Sequence, residues 1–183
     1  MLIIGDSISI GYTLQVRKLL EGKANVHRIP INGGATEVGL ANIAKWLGNE
    51  RWDVIHFNFG LHDARQVSST EFRTSRDRYA ENLRLLVAGM KPSGAKLIFA
   101  TTTPVPNNGV LSSGSIFDDI ADRNEVAENV MKENGVAIDD LYAVALPQLA
   151  RIGQPNDIHF QRNGYDVLAE AVAASIENQL PKR

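Results

Sequence analysis

The chain has 183 residues, of which 44% are hydrophobic and 22% are charged, a composition typical of a globular protein with one well-packed core. Its 19 Lys and Arg residues nearly balance its 21 Asp and Glu residues, so no basic stripe indicates a nucleic-acid partner. The absence of cysteine excludes disulfides, thiolate catalysis and thiolate metal sites.

The chain also lacks the apolar run of roughly 20 residues that a membrane span needs. Residues 1–4 are themselves apolar and include most of the first predicted strand. They lack the basic region and the long apolar region of an export signal. The sequence as written therefore predicts a cytoplasmic protein with no membrane span. A secreted or periplasmic location stays open if a signal has been removed, and the oligomeric state is not indicated.

Short apolar runs alternate with longer amphipathic stretches, a pattern typical of a parallel sheet flanked by helices. The predicted strands are residues 2–5, 25–29, 54–59, 96–101 and 136–138. The predicted helices, in which apolar residues recur every three or four positions, are 10–20, 38–47, 71–90, 118–134, 140–149 and 163–180. Ser68 and Glu71 have the spacing of a capping box for the third helix. We expect one domain over residues 1–183 with a mostly parallel five-stranded sheet.

Three polar segments follow predicted strands. They are Gly5-Asp6-Ser7 after the first strand, Asn32-Gly33-Gly34 after the second and Gly60-Leu61-His62-Asp63 after the third. Because parallel α/β sheets place their chemistry in the loops at the carboxyl ends of the strands, we expect these segments to converge on one rim.

Ser7 lies where a buried strand gives way to a helix. The N–H groups at a helix N-terminus favour developing negative charge, so this position suits a nucleophile. Serine is also a favoured capping residue, and a purely capping role for Ser7 is the alternative. Ser9 is the nearby competitor, but it lies further into the helix.

The candidate bases are the four histidines. His27 and His56 fall within predicted strands, which favours structural roles. His159 instead lies in a loop directly before the last predicted helix, from which it could reach Ser7 across the rim of the sheet. His159 is therefore the predicted general base.

Taken together, these motifs resemble the SGNH (GDSL-type) hydrolase family from Leu2 to about Ala174. Gly5-Asp6-Ser7 is similar to the family's first block, Gly34 to the second-block glycine, and His159 with residues 160–165 to the last block. The resemblance implies the flavodoxin-like α/β/α sandwich of that family and an acyl-enzyme mechanism without a cofactor. It also implies an oxyanion hole that includes the backbone N–H groups of Ser7 and Gly34.

The third block departs from the family pattern G-x-N-D, because His62 stands at the position of the oxyanion-binding Asn. A neutral His62 could donate from a ring nitrogen, and nearby Asn58 could donate from its amide. In the structural alternative, His62 and Asp63 pair only to hold their loop.

The last block departs as well. The family usually carries Asp three residues before the histidine, where this chain has Asn156, and the adjacent carboxylate is Asp157. Either Asp157 orients His159 after a local backbone change, or Asn156 or a backbone carbonyl does so in a Ser–His dyad, or Asp157 faces solvent. Resemblance to family members with a shifted acid favours Asp157.

The sequence predicts neither a metal nor a nucleotide cofactor. His56, His62 and Asp63 lack a recognised metal-ligand spacing, and G-x-G-x-x-G is absent. We expect hydrolysis of small esters with short acyl groups, since the chain has little material for a lid. Resemblance of residues 52–63 to sugar-associated relatives favours acetyl groups on carbohydrate. The alternatives are a thioesterase or lysophospholipase, a catalytically weak carbohydrate-binding pseudoenzyme, and a flavodoxin-like binding module.

Overall fold

The fold is a five-stranded sheet between two layers of helices. A computed structural model describes residues 1–181, so residues 182 and 183 of the predicted domain lie outside the described residues. The strands are β1 (Leu2–Ile4), β2 (His27–Arg28), β3 (Val54–Phe57), β4 (Lys96–Ala100) and β5 (Ala137–Asp139). They are all parallel and lie in the order β2-β1-β3-β4-β5. The predicted α/β/α sandwich is confirmed.

This strand order determines where the loops meet. Strand β1 has β2 on one side and β3 on the other, so the chain winds in opposite directions from β1. In open parallel sheets, ligands bind in the crevice at such a switch point, outside the carboxyl ends of the strands. The loops after β1, β2 and β3 all border this crevice.

The helices divide between the two faces of the sheet. One face carries α1 (Ser7–Leu19), α5 (Leu141–Ala145) and α7 (Arg162–Glu177). The other carries α2 (Thr36–Leu47), α3 (Arg76–Met90) and α4 (Ile120–Asn134). Within residues 1–181, no helix is both long enough and apolar enough to cross a membrane.

Strand β1 shows why the sheet is buried on both faces. Its three residues are all apolar, and neighbouring side chains point to opposite faces. Ile3 packs in the core beneath α1 and α7, whereas Leu2 and Ile4 pack in the core beneath α2 and α3. Burying a side chain of this size contributes about 1.5–3 kcal/mol to folding, so β1 anchors both layers.

The capping box predicted at Ser68 and Glu71 is wrong. Helix α3 begins at Arg76, and the hydroxyl of Ser75 caps it by accepting from Arg78 N at 3.3 Å. The Glu71 carbonyl instead accepts from Val67 N in a short hairpin. Antiparallel pairing across this hairpin uses the backbone groups that a longer helix would need.

The helix predicted over residues 140–149 is broken. Helix α5 ends at Ala145, a 3₁₀ turn covers Leu146–Gln148, and the short α6 (Leu149–Ile152) follows. Pro147 explains the break, because proline has no N–H to donate and its ring clashes with the carbonyl one turn earlier.

Candidate active site

Ser7 is the first residue of α1, and the adjacent Asp6 caps the helix. The Asp6 carboxylate accepts a hydrogen bond from Ile8 N at 2.9 Å. The alternative in which Ser7 serves only as the cap is therefore wrong. The Ser7 hydroxyl is available for other contacts at the helix N-terminus.

The structure brings Ser7, His159 and Asp157 together. Ser7 Oγ lies 2.9 Å from His159 Nε2, and His159 Nδ1 lies 2.7 Å from Asp157 Oδ1. The same carboxylate oxygen accepts from the backbone N–H of His159 at 2.9 Å. With the ring proton on Nδ1 bound to Asp157, Nε2 can accept the proton of the Ser7 hydroxyl.

A left-handed residue turns Asp157 towards His159. Asn156 has φ of 56°, a conformation that asparagine tolerates better than most residues. Its side-chain oxygen accepts from Asn107 Nδ2 at 2.7 Å, so its amide faces the loop after β4 rather than His159. The residue at the family's usual acid position thus contacts Asn107, and Asp157 makes the contact with the imidazole.

The surroundings of Asp157 favour its ionised form. Partial burial alone would raise its pKa, but hydrogen bonds from the backbone N–H and the ring of His159 outweigh that effect and hold the pKa of Asp157 below its ordinary value. The carboxylate is therefore charged at neutral pH and can stabilise an imidazolium.

Ser9 is not available as a competing nucleophile. Its side chain is buried, and its hydroxyl donates to the Asp6 carbonyl at 2.7 Å. It also accepts from Arg28 Nε at 3.1 Å. The hydroxyl is therefore committed to the packing beneath the first loop.

Gly34 lies in the loop that precedes α2, with φ of 62°. Its backbone N–H donates to the side-chain oxygen of Asn32 at 2.9 Å. This N–H can bind a substrate oxygen only after the exposed Asn32 side chain moves aside.

Of the two predicted side-chain donors, His62 has the freer group. Its Nε2 is buried and has no hydrogen-bond partner among residues 1–181. Asn58 Nδ2 donates to the Ala100 carbonyl at 2.9 Å, so its amide is directed at β4. The predicted alternative in which His62 pairs with Asp63 is wrong, because the Asp63 carboxylate instead accepts from Thr36.

Asp6 links these groups electrostatically. Burial raises the pKa of Asp6, and the nearby His62, His159 and Arg28 partly offset that rise.

The two strand histidines have structural contacts. His56 is buried in β3, and its Nε2 lies 2.8 Å from Asp139 Oδ2. The ring of His27 packs edge-on against Trp52, with the ring centroids 5.4 Å apart. Both rings therefore make their contacts with residues other than Ser7.

Arg28 is the main residue at this rim that the sequence did not single out. Its guanidinium contacts backbone carbonyls of the loops after β1 and β2. A lone arginine at the end of a strand is usually solvent-exposed, so its sequence position carries no signal of this role.

Five parallel strands in this order, with a serine directly after β1 and a histidine directly before α7, define an SGNH-type hydrolase fold. The chain belongs to the GDSL-like lipase/acylhydrolase family, whose sequence model matches residues 3–167. The predicted family is confirmed.

Known relatives include an arylesterase from Vibrio mimicus, which is 28% identical over 129 residues. That match covers 64% of this chain and spans 62% of the length of the arylesterase. A lipase/acylhydrolase from Enterococcus faecalis has a TM-score of 0.80 at 22% identity, over 100% of this chain and 97% of that one. Axe2, an acetylxylan esterase from Geobacillus stearothermophilus, has a TM-score of 0.79 at 19% identity, over 100% and 96%. The structural likenesses show a shared fold.

Proposed function

We propose that the protein is a serine esterase that hydrolyses small carboxylic esters. The observation that carries this proposal is the continuous contact from Ser7 through His159 to Asp157. These side chains come from opposite ends of the chain, and their order is that of a nucleophile, a base and an orienting acid.

The contacts support a two-step acyl transfer. His159 Nε2 accepts the hydroxyl proton as Ser7 Oγ attacks the ester carbonyl, and Asp157 stabilises the imidazolium that forms. His159 then protonates the leaving alcohol, which leaves the acyl group on Ser7. A water molecule, deprotonated by the same nitrogen, attacks this acyl-enzyme and releases the acid.

The oxyanion would be held by donors from three loops. The N–H of Ser7 begins α1 and has no partner within the helix, so it is free to donate. Gly34 N–H joins it once Asn32 moves aside, and His62 Nε2 is the third donor. For His62 to donate, Nε2 must carry its proton, and an oxyanion would then satisfy this otherwise unpaired buried atom.

Within this proposal, short acyl groups are the favoured substrates. The bridge Val110–Ile116 closes a hairpin within the segment between β4 and α4, and the bridge Arg65–Phe117 joins this segment to the loop after β3, so it is not a free lid. The names of the structurally similar acetylxylan esterase and of the arylesterase relative agree with small esters. Acetyl groups on carbohydrate are therefore the favoured natural substrate within this proposal.

A panel of p-nitrophenyl esters and acetylated xylooligosaccharides tests the proposal. We expect kcat/KM to be highest for acetyl and butyryl esters and to fall sharply beyond about eight carbons, because residues 1–181 include no free lid segment to cover a longer chain. The Ser7→Ala protein is the control for background hydrolysis. A preference for palmitoyl esters would contradict the short-acyl assignment, and binding of the sugars with no turnover of any ester would identify a pseudoenzyme.

A further inference from the structure

We infer that Arg28 and Asp63 are positioning residues that clamp the loop bearing Gly34 from its two sides. This loop, the Gly34 loop, comprises residues 29–35. The inference rests on the proposed function, because it gives the clamp the task of holding Gly34 N–H in register with Ser7 and His62.

Arg28 forms the first side of the clamp. Its Nη1 donates to the carbonyls of Ile29 at 2.7 Å and Ile31 at 3.0 Å, both in the Gly34 loop. Its Nη2 donates to the carbonyls of Gly5 at 2.9 Å and Asp6 at 3.2 Å, which precede Ser7. One planar guanidinium thus joins the two loops, which the single ammonium of a lysine could not reproduce.

The two backbones also touch directly on this side. Gly33 N donates to the Gly5 carbonyl at 2.9 Å. A Cβ at Gly33 would lie 2.8 Å from that oxygen, so no other residue fits without a shift of the backbone. The Gly5 carbonyl therefore accepts from both Gly33 and Arg28, and the separation of the two loops is tightly defined.

Asp63 forms the second side. The N-cap of α2 is Ala35, which has no polar side chain, so the helix needs an external acceptor for its first N–H groups. Thr36 N donates to the Asp63 carboxylate at 3.0 and 3.1 Å, and the Thr36 hydroxyl donates to it as well. Asn82 Nδ2 in turn donates to that hydroxyl at 2.9 Å. Asp63 thus caps α2 from the loop of its neighbour His62.

Burial of the Asp63 carboxyl group determines which substitution can test its role. The group is fully buried, and burial raises its pKa although the hydrogen bonds from Thr36 and the charge of Arg123 oppose this. Because the charged form is held at a cost in free energy, we expect the neutral isostere Asn to fold. In Asn, an NH2 group replaces the oxygen that accepts from Thr36 N at 3.0 Å, so a single oxygen must accept from both the N–H and the hydroxyl of Thr36.

The two contacts act on the same short segment. Gly34 is two residues before Thr36, and Asp63 directly follows His62. The contact between Asp63 and Thr36 therefore fixes the position of two proposed oxyanion donors relative to each other. Arg28 relates the same loop to the third donor, Ser7. Oxyanion donors must lie about 2.7–3.1 Å from the developing charge, so a small displacement of this loop should slow turnover more than it weakens substrate binding.

Kinetics of Arg28→Lys and Asp63→Asn test the clamp. We expect each to lower kcat by about tenfold or more with KM changed less than twofold, as for an interaction made mainly in the transition state.

Arg17→Lys is the matched control for Arg28, because Arg17 Nε donates to the Val26 carbonyl outside both loops. Asp140→Asn is the control for Asp63, because Asp140 also caps a helix but accepts from Ala143 N at 3.0 Å rather than from Thr36. Both controls should keep kcat within twofold.

A double-mutant cycle separates positioning from general loosening. In the His62→Ala background, Asp63→Asn should cost at least threefold less in kcat than it does in the wild type, because one of the donors it positions is already gone. Fully independent effects, or clamp variants no slower than their controls, would overturn the inference.

Amide hydrogen exchange measured by NMR tests the clamp without any substrate. We expect exchange at Gly33 to be about tenfold faster in Arg28→Lys, and exchange at Thr36 about tenfold faster in Asp63→Asn, with neither change in the control variants. Unchanged exchange at both amides would refute the clamp. If the wild type hydrolyses no ester but these amides respond, the clamp stands as a structural feature, and both the proposed function and the catalytic task given to the clamp fail.

Discussion

The acid of the site depends on the backbone of a single residue. Sequence spacing places Asn156 where the family usually has Asp, and only the resemblance to family members with a shifted acid favours Asp157. The left-handed φ of Asn156 directs its own amide to Asn107 and lets Asp157 reach the His159 ring. Spacing rules assume a regular backbone, so they could not select between these two residues.

We predict that Asp157→Asn lowers kcat/KM by roughly a hundredfold or more, because an amide favours the wrong imidazole tautomer and does not stabilise the imidazolium. Asn156→Asp should give no gain, since that side chain faces Asn107. Steady-state kinetics of both variants measure this. A loss below about tenfold for Asp157→Asn, or about 1.4 kcal/mol, together with a faster Asn156→Asp, would indicate a Ser–His dyad instead.

His62 is the second residue whose chemistry differs from the family pattern. We predict that His62→Ala lowers kcat by roughly a hundredfold with little change in KM, as expected for loss of one oxyanion donor. His62→Asn, which restores an amide donor, should recover part of the loss. If both variants match the wild type, His62 is structural, and Asn58→Ala becomes the next variant to measure.

At the scale of secondary structure, the apolar pattern predicted the strongly buried elements well. Strands β1, β3 and β4 lie within the predicted ranges because each is a short apolar run buried on both faces. Strand β2 has two residues rather than five, and directly after it the chain turns into the Gly34 loop that Arg28 holds. Such tertiary contacts leave no periodic signal in the sequence.

The start of α3 was also not predicted by the sequence pattern, and its cap can be tested directly. We predict that Ser75→Ala lowers the free energy of unfolding by about 1 kcal/mol, because it removes the hydroxyl that caps α3. Ser68→Ala is the matched control and should cause less than half of that loss. Denaturant unfolding of both variants provides the measurement. The reverse order of effects would show that Ser68 caps the helix.

At the scale of the molecule, the strand order explains why distant residues share one site. The switch point at β1 places the loops after three strands and the segment before α7 along one crevice. That convergence followed from the alternating pattern of the sequence. The contacts that fix it, through Arg28 and Asp63, could not be predicted, because they join loops far apart in the chain.

The buried Asp6 and the paired Asp157 change the stability of the fold with pH in opposite directions. Burial raises the pKa of Asp6, so the folded state holds this proton more tightly than the unfolded chain. As pH rises from about 4, the ordinary carboxyl pKa, towards the raised pKa, this group removes stability. The lowered pKa of Asp157 has the opposite effect, since its contribution is present above the ordinary pKa and is lost as pH falls through the lowered value.

We therefore predict that Asp6→Asn becomes more stable relative to the wild type as pH rises from about 4 to neutral. For Asp157→Asn, the stability advantage of the wild type should shrink as pH falls below about 4. Denaturant unfolding of the three proteins across pH measures both differences. A difference for Asp6→Asn that does not vary with pH would contradict the assigned burial effect.

The most direct test of the central claim is covalent labelling with a fluorophosphonate, followed by mass spectrometry of the intact protein and of its peptides. An activated serine should give a single adduct, in parallel with loss of ester hydrolysis, and fragmentation of the labelled peptide should assign the adduct to Ser7 rather than to Ser9. Ser7→Ala should fold normally, take no label and hydrolyse no ester above background. An adduct on Ser9 or elsewhere, or a Ser7→Ala protein that keeps most of its activity, would contradict the assignment of Ser7 as the nucleophile.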